Sequence, residues 1–266
     1  MSARPDRALR ADKRFGQNYL HDRGVLARII RAVMPRDEDH FIEIGPGEGA
    51  LTAPLLAAGA RVTAIELDTR LLPGLEARFG GSPGFRLIHA DALKTDITAL
   101  GAGDTAPLRL VGNLPYNIST PLLFHVLTHS AAVRDMHFML QREVVERMVA
   151  VPGSKRYGRL SVALAAQARC AALFDVAPGA FRPPPKVTSA VVQLKPRAPE
   201  PPLAAPGRFD SLLRQAFAQR RKTLANALAG ACSAAQLADC GIDPRARAET
   251  VPVAQWIRLA NRLAES

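Results

Sequence analysis

From residue 41 onward the apolar residues come in short unbroken runs, each followed by a stretch at helical spacing. FIEIG (41–45), RVTAIELD (61–68), FRLIHAD (85–91), LRLVGN (108–113) and MHFMLQ (136–141) read as buried strands. Between them GALTAPLLAAG, TRLLPGLEARF and STPLLFHVLTHS read as helices, the last with Ser119 or Thr120 as N-cap and Pro121 in its first turn. Strands alternating with such helices predict an α/β domain built on a doubly wound, mostly parallel sheet. TSAVVQLKP (188–196) comes without a long helix before it, which suits an antiparallel edge strand.

The stretch 198–206 is dense in proline and aperiodic, as a linker is. Beyond it the periodicity is helical only, with Leu213, Phe217, Leu224 and Leu228 on one face and two more helices in SAAQLADCG and VAQWIRLANRLAES. The expected organisation is a sheet domain over 1–197, a linker over 198–206 and a small all-helical domain over 207–266. No internal repeat is present.

An apolar content of 48% supplies a core, and no run of about 18 apolar residues offers a membrane span. The N-terminus is charged and has no apolar signal region, so a cytoplasmic protein is expected. Cys170, Cys232 and Cys240 are odd in number and lack C-x-x-C spacing; neither a disulfide framework nor a metal site is expected, and the thiols are assigned to packed interiors. The net charge is +11 and the pI about 10.4. Residues 1–31 hold eight Lys or Arg against three Asp. This arm, including Arg14, is joined by Lys155, Arg156 and Arg159, and by Arg220, Arg221 and Lys222. Three separate clusters favour a nucleic-acid surface. A basic membrane helix fits the arm poorly, because Gly16 and Gly24 interrupt it and it lacks a sustained apolar face.

The first strand runs into GPGEGA (45–50), where Gly45 and Gly47 allow positive φ and close backbone approach to a ligand. Glu66 ends the second strand, placed to accept hydrogen bonds from ribose hydroxyls, and Asp91 ends the third; ligands of such sheets bind beyond these strand ends. Both NAD and S-adenosylmethionine fit that much. The end of the fourth strand discriminates between them. Asn113, Leu114, Pro115 and Tyr116 provide a side-chain carbonyl, a backbone carbonyl held by the following proline, and a ring. Two acceptors gripping an exocyclic amine would localise its lone pair and aim it at a methyl group, while the ring stacks on the base. For a dehydrogenase, no convincing hydride-transfer partner is found. His89, His125, His129 and His137 fall in or beside predicted elements and are read as structural.

These stretches, together with FGQNYL (15–20), MLQREVVERMVA (139–150), SKRYGRLSV (154–162), FRPPPKVTSAVV (181–192) and AFAQRRKTL (216–224), resemble the ribosomal RNA adenine dimethyltransferases, and within them the branch acting on 16S RNA of the small subunit. The resemblance covers about residues 10–265. It implies a Rossmann-like class I methyltransferase fold and S-adenosylmethionine as cofactor. Gln17, Asn18, Leu20 and Gly45 would hold the methionine portion, with Gly47 in the same turn, Glu66 the ribose and Asp91 the adenine. Asn113 would lie between cofactor and target amine, and Tyr116 and Phe181 would bracket the target base. Two adjacent adenosines of 16S RNA, in an assembling 30S subunit, would each receive two methyl groups. Nothing suggests an obligate dimer. A 23S RNA methyltransferase shares FGQN and the Asn-x-Pro-Tyr motif, but FRPPPKV and AFAQRRKTL favour the small-subunit branch. DNA and protein-glutamine methylation usually show Pro at the position of Leu114. A non-catalytic assembly factor is the alternative from another class, against which the intact Asn113–Tyr116 motif argues.

Overall fold

The computed structural model describes residues 17–104 and 106–265. In chain order the elements are β1 (Tyr19–Leu20), α1 (Arg23–Val33), β2 (His40–Ile44), α2 (Thr52–Ala57), β3 (Arg61–Glu66), α3 (Leu72–Phe79), β4 (Phe85–His89), α4 (Ile97–Leu100), β5 (Leu108–Asn113), α5 (Ser119–Thr128) and β6 (Val133–Gln141). Then come α6 (Arg142–Met148), α7 (Arg159–Gln167), β7 (Ala168–Val176), β8 (Phe181–Arg182), β9 (Ser189–Pro196), α8 (Pro206–Ala218), α9 (Leu224–Ala227), α10 (Ala234–Asp239) and α11 (Val253–Ala264).

The main sheet has the order β4-β3-β2-β5-β6-β9-β7, and β1 pairs separately with β8. Strands β4, β3, β2, β5 and β6 run parallel to one another. The chain winds outward from β2 through β3 and β4, then returns to the other side of β2 as β5 and β6. This reversal between β2 and β5 leaves a crevice at the strand ends. The strands are apolar because both faces are covered: Phe41, Ile42, Val62, Ala64, Leu110 and Phe138 are all fully buried.

The chain forms two compact units, divided at Arg142/Glu143, Ala172/Leu173 and Gln193/Leu194. This differs from the expected boundary at 197. Residues 143–172 join the C-terminal helices because α7 buries Leu160, Val162, Ala163, Leu164 and Ala166 and packs within that unit against α8 and α11. The proline-rich stretch is irregular, as expected, but anchored: Ala204 N–H donates to Asn261 Oδ1, and Asn261 Nδ2 to the Pro202 carbonyl.

Four further expectations are corrected. Residues 23–31, assigned to a basic arm, belong to α1, capped by Asp22 accepting from Val25 N–H. Its residues Ile29 and Val33 are buried, and Val25, Leu26 and Ile30 pack beside them, at the i, i+3, i+4 spacing of an amphipathic helix. Strand β9 lies inside the sheet, between β6 and β7, and the edge belongs to β7, a strand not predicted. Helix α5 has no side-chain cap: Ser119 is already helical, and its hydroxyl donates to the Pro115 carbonyl. Finally, of the three thiols only Cys240 is buried; Cys170 and Cys232 are partly exposed.

Charge is buried at both ends of the strands. At the starting end, Arg109 is 3% exposed, and its five N–H donors are all used. Nε and Nη2 donate to Asp135 at 2.9 and 3.1 Å, Nη1 to Asp39 at 2.7 Å, and Nη1 and Nη2 to the Met34 and Val33 carbonyls at 3.3 and 2.6 Å. One guanidinium thus ties α1 to β5 and β6. At the finishing end, Glu43 is buried on β2, with Thr52 Oγ1 donating to Oε2 at 2.6 Å. Burial pushes its carboxyl up to about 7, aided by the charge of Glu66 and opposed by the Thr52 hydroxyl.

Arg109→Met leaves the buried Asp39 and Asp135 with only the partly exposed Arg134 as a cation, at 2.7 and 3.6 Å, and is expected to cost about 3 kcal/mol. Urea unfolding measures it, and a loss below about 1 kcal/mol would sink this account. For Glu43 the raised folded value means that no penalty exists below the unfolded value of 4.5 and that it grows until the pH passes about 7. Glu43→Gln keeps the acceptor without the charge. Its stability relative to the parent should rise between pH 4.5 and 7 by at most about 3 kcal/mol and then level off. A difference that stays flat in denaturant titrations across that range would contradict it.

Candidate active site

The crevice is a cavity of about 310 Å³ lined by residues 17–20, the turn after β2, the end of β3, residues 90–92 and residues 113–118. Its position follows from the strand order: β2, β3 and β5 all end here. The turn is sharp, with Gly45 at φ +66° and Gly47 at φ +59°. A side chain at Gly47 would also meet the Tyr19 ring, since an ideal Cβ would stand 3.1 Å from Tyr19 Cδ1.

Glu66 is 7% exposed. Its Oε1 accepts from the Leu67 and Asp68 N–H groups at 2.9 Å, and its Oε2 from Gly47 N–H at 3.3 Å. Burial raises its pKa, opposed by these three N–H groups. Asp91 lies two residues past β4 rather than at its last residue; Oδ1 accepts from Leu93 N–H at 2.9 Å, and Lys94 stands 3.9 Å from Oδ2. Asn113 closes β5, and its Nδ2 donates to the Asn18 carbonyl at 2.8 Å. That bond commits the donor end of the amide and leaves Oδ1 as its acceptor end. The half-buried Tyr116 is tied by its hydroxyl to Ser189 Oγ at 2.5 Å.

The cavity therefore gathers Gln17, Asn18, Leu20, Gly45, Gly47, Glu66, Asp91, Asn113, Leu114, Pro115 and Tyr116. Phe181 is the exception. It is 2% exposed and packs in the core with Leu20, Ile29, Val33 and Val176, because its register opposite Leu20 in the β1–β8 pair turns it inward. It does not line the crevice. Glu43 and Tyr19 do line it, although neither is among the site residues expected from the sequence. Tyr19 had a readable signal, being an aromatic within FGQNYL; Glu43 looks like any strand residue until its burial is seen.

The second unit holds a cavity of its own, lined by Glu143, Arg147, Lys155, Arg156, Arg159, Arg214 and Arg220 among others. It brings together four of the predicted basic residues and adds Arg147 and Arg214. Much of this charge is internally paired: Arg156 with Glu146 at 2.7 Å, Arg159 and Arg214 with Asp210 at 2.7 and 2.6 Å, and Arg220 with Glu249 at 2.9 Å. Arg221 and Lys222 are exposed and outside the cavity. Arg14 lies outside the described residues, as does most of the basic arm.

Residues 8–265 match the model of the family described as ribosomal RNA adenine dimethylase. The chain is 51% identical over 257 residues to the ribosomal RNA small subunit methyltransferase A of Pseudomonas fluorescens, covering 96% of this chain and 95% of that one. Among solved structures, a dimethyladenosine transferase from Plasmodium falciparum superposes with a TM-score of 0.77 at 26% identity, over 90% of this chain and 95% of that one. The 23S rRNA methyltransferase ErmE superposes with a TM-score of 0.70 at 28% identity, over 93% and 100%. The architecture is that of the Rossmann-like methyltransferases. With nearly its whole length matched, the chain belongs to the ribosomal RNA adenine dimethylase family.

Proposed function

We propose that this chain is the enzyme that transfers methyl groups from S-adenosylmethionine to N6 of two adjacent adenosines in the 3′-terminal hairpin of 16S RNA, two to each, on the assembling small subunit. The observation that carries the reading is the Asn113 amide, pinned by its donor end to Asn18 with its acceptor end left for an amine, in the same crevice as Glu66 and Asp91. The cofactor fits this donor set: a carboxylate for ribose hydroxyls at Glu66, a second for an adenine amine at Asp91, and a glycine turn for close backbone approach. Bound there, S-adenosylmethionine supplies an electrophilic methyl on a cationic sulfur.

The chain's own residues do the rest. Asn113 Oδ1 and the Leu114 carbonyl, the latter fixed by the Pro115 ring, accept the two N–H bonds of the target amine in the first transfer, and one of them accepts the single N–H that remains in the second. The amine lone pair is thereby withdrawn from the ring and directed at the methyl. Tyr116 offers a ring for stacking on the base, held in place through Ser189. No strong general base is needed, because the nitrogen becomes acidic as it is methylated and its proton passes to water. Phe181, buried in the core, takes no part in bracketing the base. The unit with the crevice carries out the chemistry, and the helical unit with Lys155, Arg156, Arg159, Arg220, Arg221 and Lys222 supplies phosphate contacts. The setting is the cytoplasm and the working form a monomer; no helix among the described residues is long and apolar enough to cross a membrane.

Small subunits from cells lacking the protein, incubated with it and labelled S-adenosylmethionine, should gain methyl groups at two adjacent adenosines near the 3′ end of 16S RNA when mapped by primer extension. No label in small subunits, with label in 23S RNA when large subunits are supplied instead, would favour the reading that likeness to ErmE allows, and subunit binding without label would favour an assembly factor. Asn113→Ala should abolish transfer. Tyr116→Ala should reduce it by about 5- to 150-fold while S-adenosylhomocysteine binding changes little, since base stacking is worth about 1–3 kcal/mol. Equal loss of both would make Tyr116 a residue of the fold. For the RNA surface, Arg221→Ala and Lys222→Ala should each lower the log–log salt slope of RNA binding by roughly 0.7–0.9. Slopes unchanged from the parent would remove these two residues from the interface.

A further inference from the structure

The roof of the crevice is fastened at a point outside the crevice. Residues 17–20 lie along the cavity, and Gln17 reaches past it: Nε2 donates to Asp68 Oδ2 at 2.8 Å, while Oε1 accepts from the Tyr19 hydroxyl at 2.8 Å. Asp68 stands two residues beyond β3 and is 3% exposed; it does not line the cavity, although its N–H donates to Glu66 Oε1. Arg70 grips it from the same turn, Nε donating to Oδ1 at 2.8 Å, Nη2 to Oδ2 at 2.5 Å and the backbone N–H to Oδ1 at 3.1 Å. The Arg70 guanidinium, opposed by burial and assisted by Gln17, holds the Asp68 carboxyl down at about 2. It is therefore anionic at any working pH.

We propose that Asp68, clamped by Arg70, is a positioning residue that latches the roof of the crevice through Gln17 and sets how long the cofactor is retained. The proposal rests on the reading of the crevice as the S-adenosylmethionine site. Three observations carry it. Segment 17–20 has little structure of its own, since β1 is two residues long and pairs only with Arg182 and Phe181. Its Asn18 end is held by Asn113, while Gln17 is held by a buried carboxylate, and a hydrogen bond to an ionised acceptor is stronger than a neutral one. Because Arg70 fixes the carboxylate in advance, closing the roof orders only the Gln17 side chain. The same glutamine steadies the Tyr19 ring through its hydroxyl, and that ring lies over Gly47, so the latch also bears on the glycine turn.

The test is a mutant cycle on the full chain, with S-adenosylhomocysteine affinity by calorimetry and its off-rate by stopped flow. Asp68→Ala and Gln17→Ala should each weaken binding about tenfold, chiefly through a faster off-rate, and the double variant should be no worse than either single one. Gln17→Glu, which sets carboxylate against carboxylate, should weaken binding further. Gln17→Ala leaves the Asp68–Arg70 pair in place, so its urea midpoint should stay at the parent's while its off-rate rises. A residue that merely supported the turn would lose midpoint and affinity together. Additive losses, or an off-rate unchanged in the Gln17 variants, overturn the latch; should Asp68→Ala fail to fold, the two Gln17 variants decide alone. If the unaltered chain binds no S-adenosylhomocysteine, the reading of the crevice itself falls and takes the latch with it.

Discussion

The close approach of β2 and β5 at the centre of the sheet is the constraint from which the site follows. It is possible because Gly112 has no side chain: an ideal Cβ there would stand 2.6 Å from the Ile44 carbonyl oxygen. At that distance the last residues of the two strands lie side by side, and Gly45 and Asn113 face one space. Winding β3 and β4 away on one side and β6 on the other keeps that space open. The chemistry then needs little more than the right residues at three strand ends.

Those residues are held by backbone and by one another, so the crevice is shaped before anything enters it. Glu66 is fixed by three N–H groups, Asn113 by the Asn18 carbonyl and Tyr116 by Ser189. Each retains acceptor capacity or a ring face directed at the space, and preorganised dipoles of this kind need no rearrangement as charge shifts during reaction. Stability is drawn from the opposite end of the strands, where Arg109 links α1, β5 and β6 with every donor satisfied. Separating the two ends leaves the crevice free to keep a partly charged, partly open floor around Glu43 and Glu66.

Much of this was legible in the residues. The five parallel strands were readable because strands buried on both faces show as unbroken apolar runs, and the site because its members sit at strand ends, where an Asn, a Glu or a glycine turn departs from the run. What was missed depends on contacts that no short window contains. Helix α1 is the exception: its apolar residues 25, 26, 29, 30 and 33 keep helical spacing within one short window, but they stand among arginines and a glycine and read as part of the basic arm. Strand β7 is largely exposed, and its apolar run at 170–174 follows α7 with no Gly or Pro between them to mark a new element. Phe181 was placed by resemblance against the base, but which way it turns is decided by its partner Leu20, more than 150 positions away. Asp68 reads as the end of a strand until Gln17 reaches it across 51 residues.

Net charge and local charge make different statements about RNA. The chain carries +11, yet the arginines around the cavity of the helical unit are matched by Glu146, Asp210 and Glu249. A guanidinium already engaged by a carboxylate gains less from a phosphate, because one charge-assisted bond is exchanged for another. It still adds to the long-range field that draws RNA in. Arg221 and Lys222, exposed and without an ion pair among the described residues, can release counterions directly on contact. In the proposed function, the helical unit thus attracts through all its cations while only a few of them take up phosphate. Its acidic partners hold the remaining side chains in fixed positions, an arrangement suited to a folded RNA whose shape, more than its charge, must be recognised.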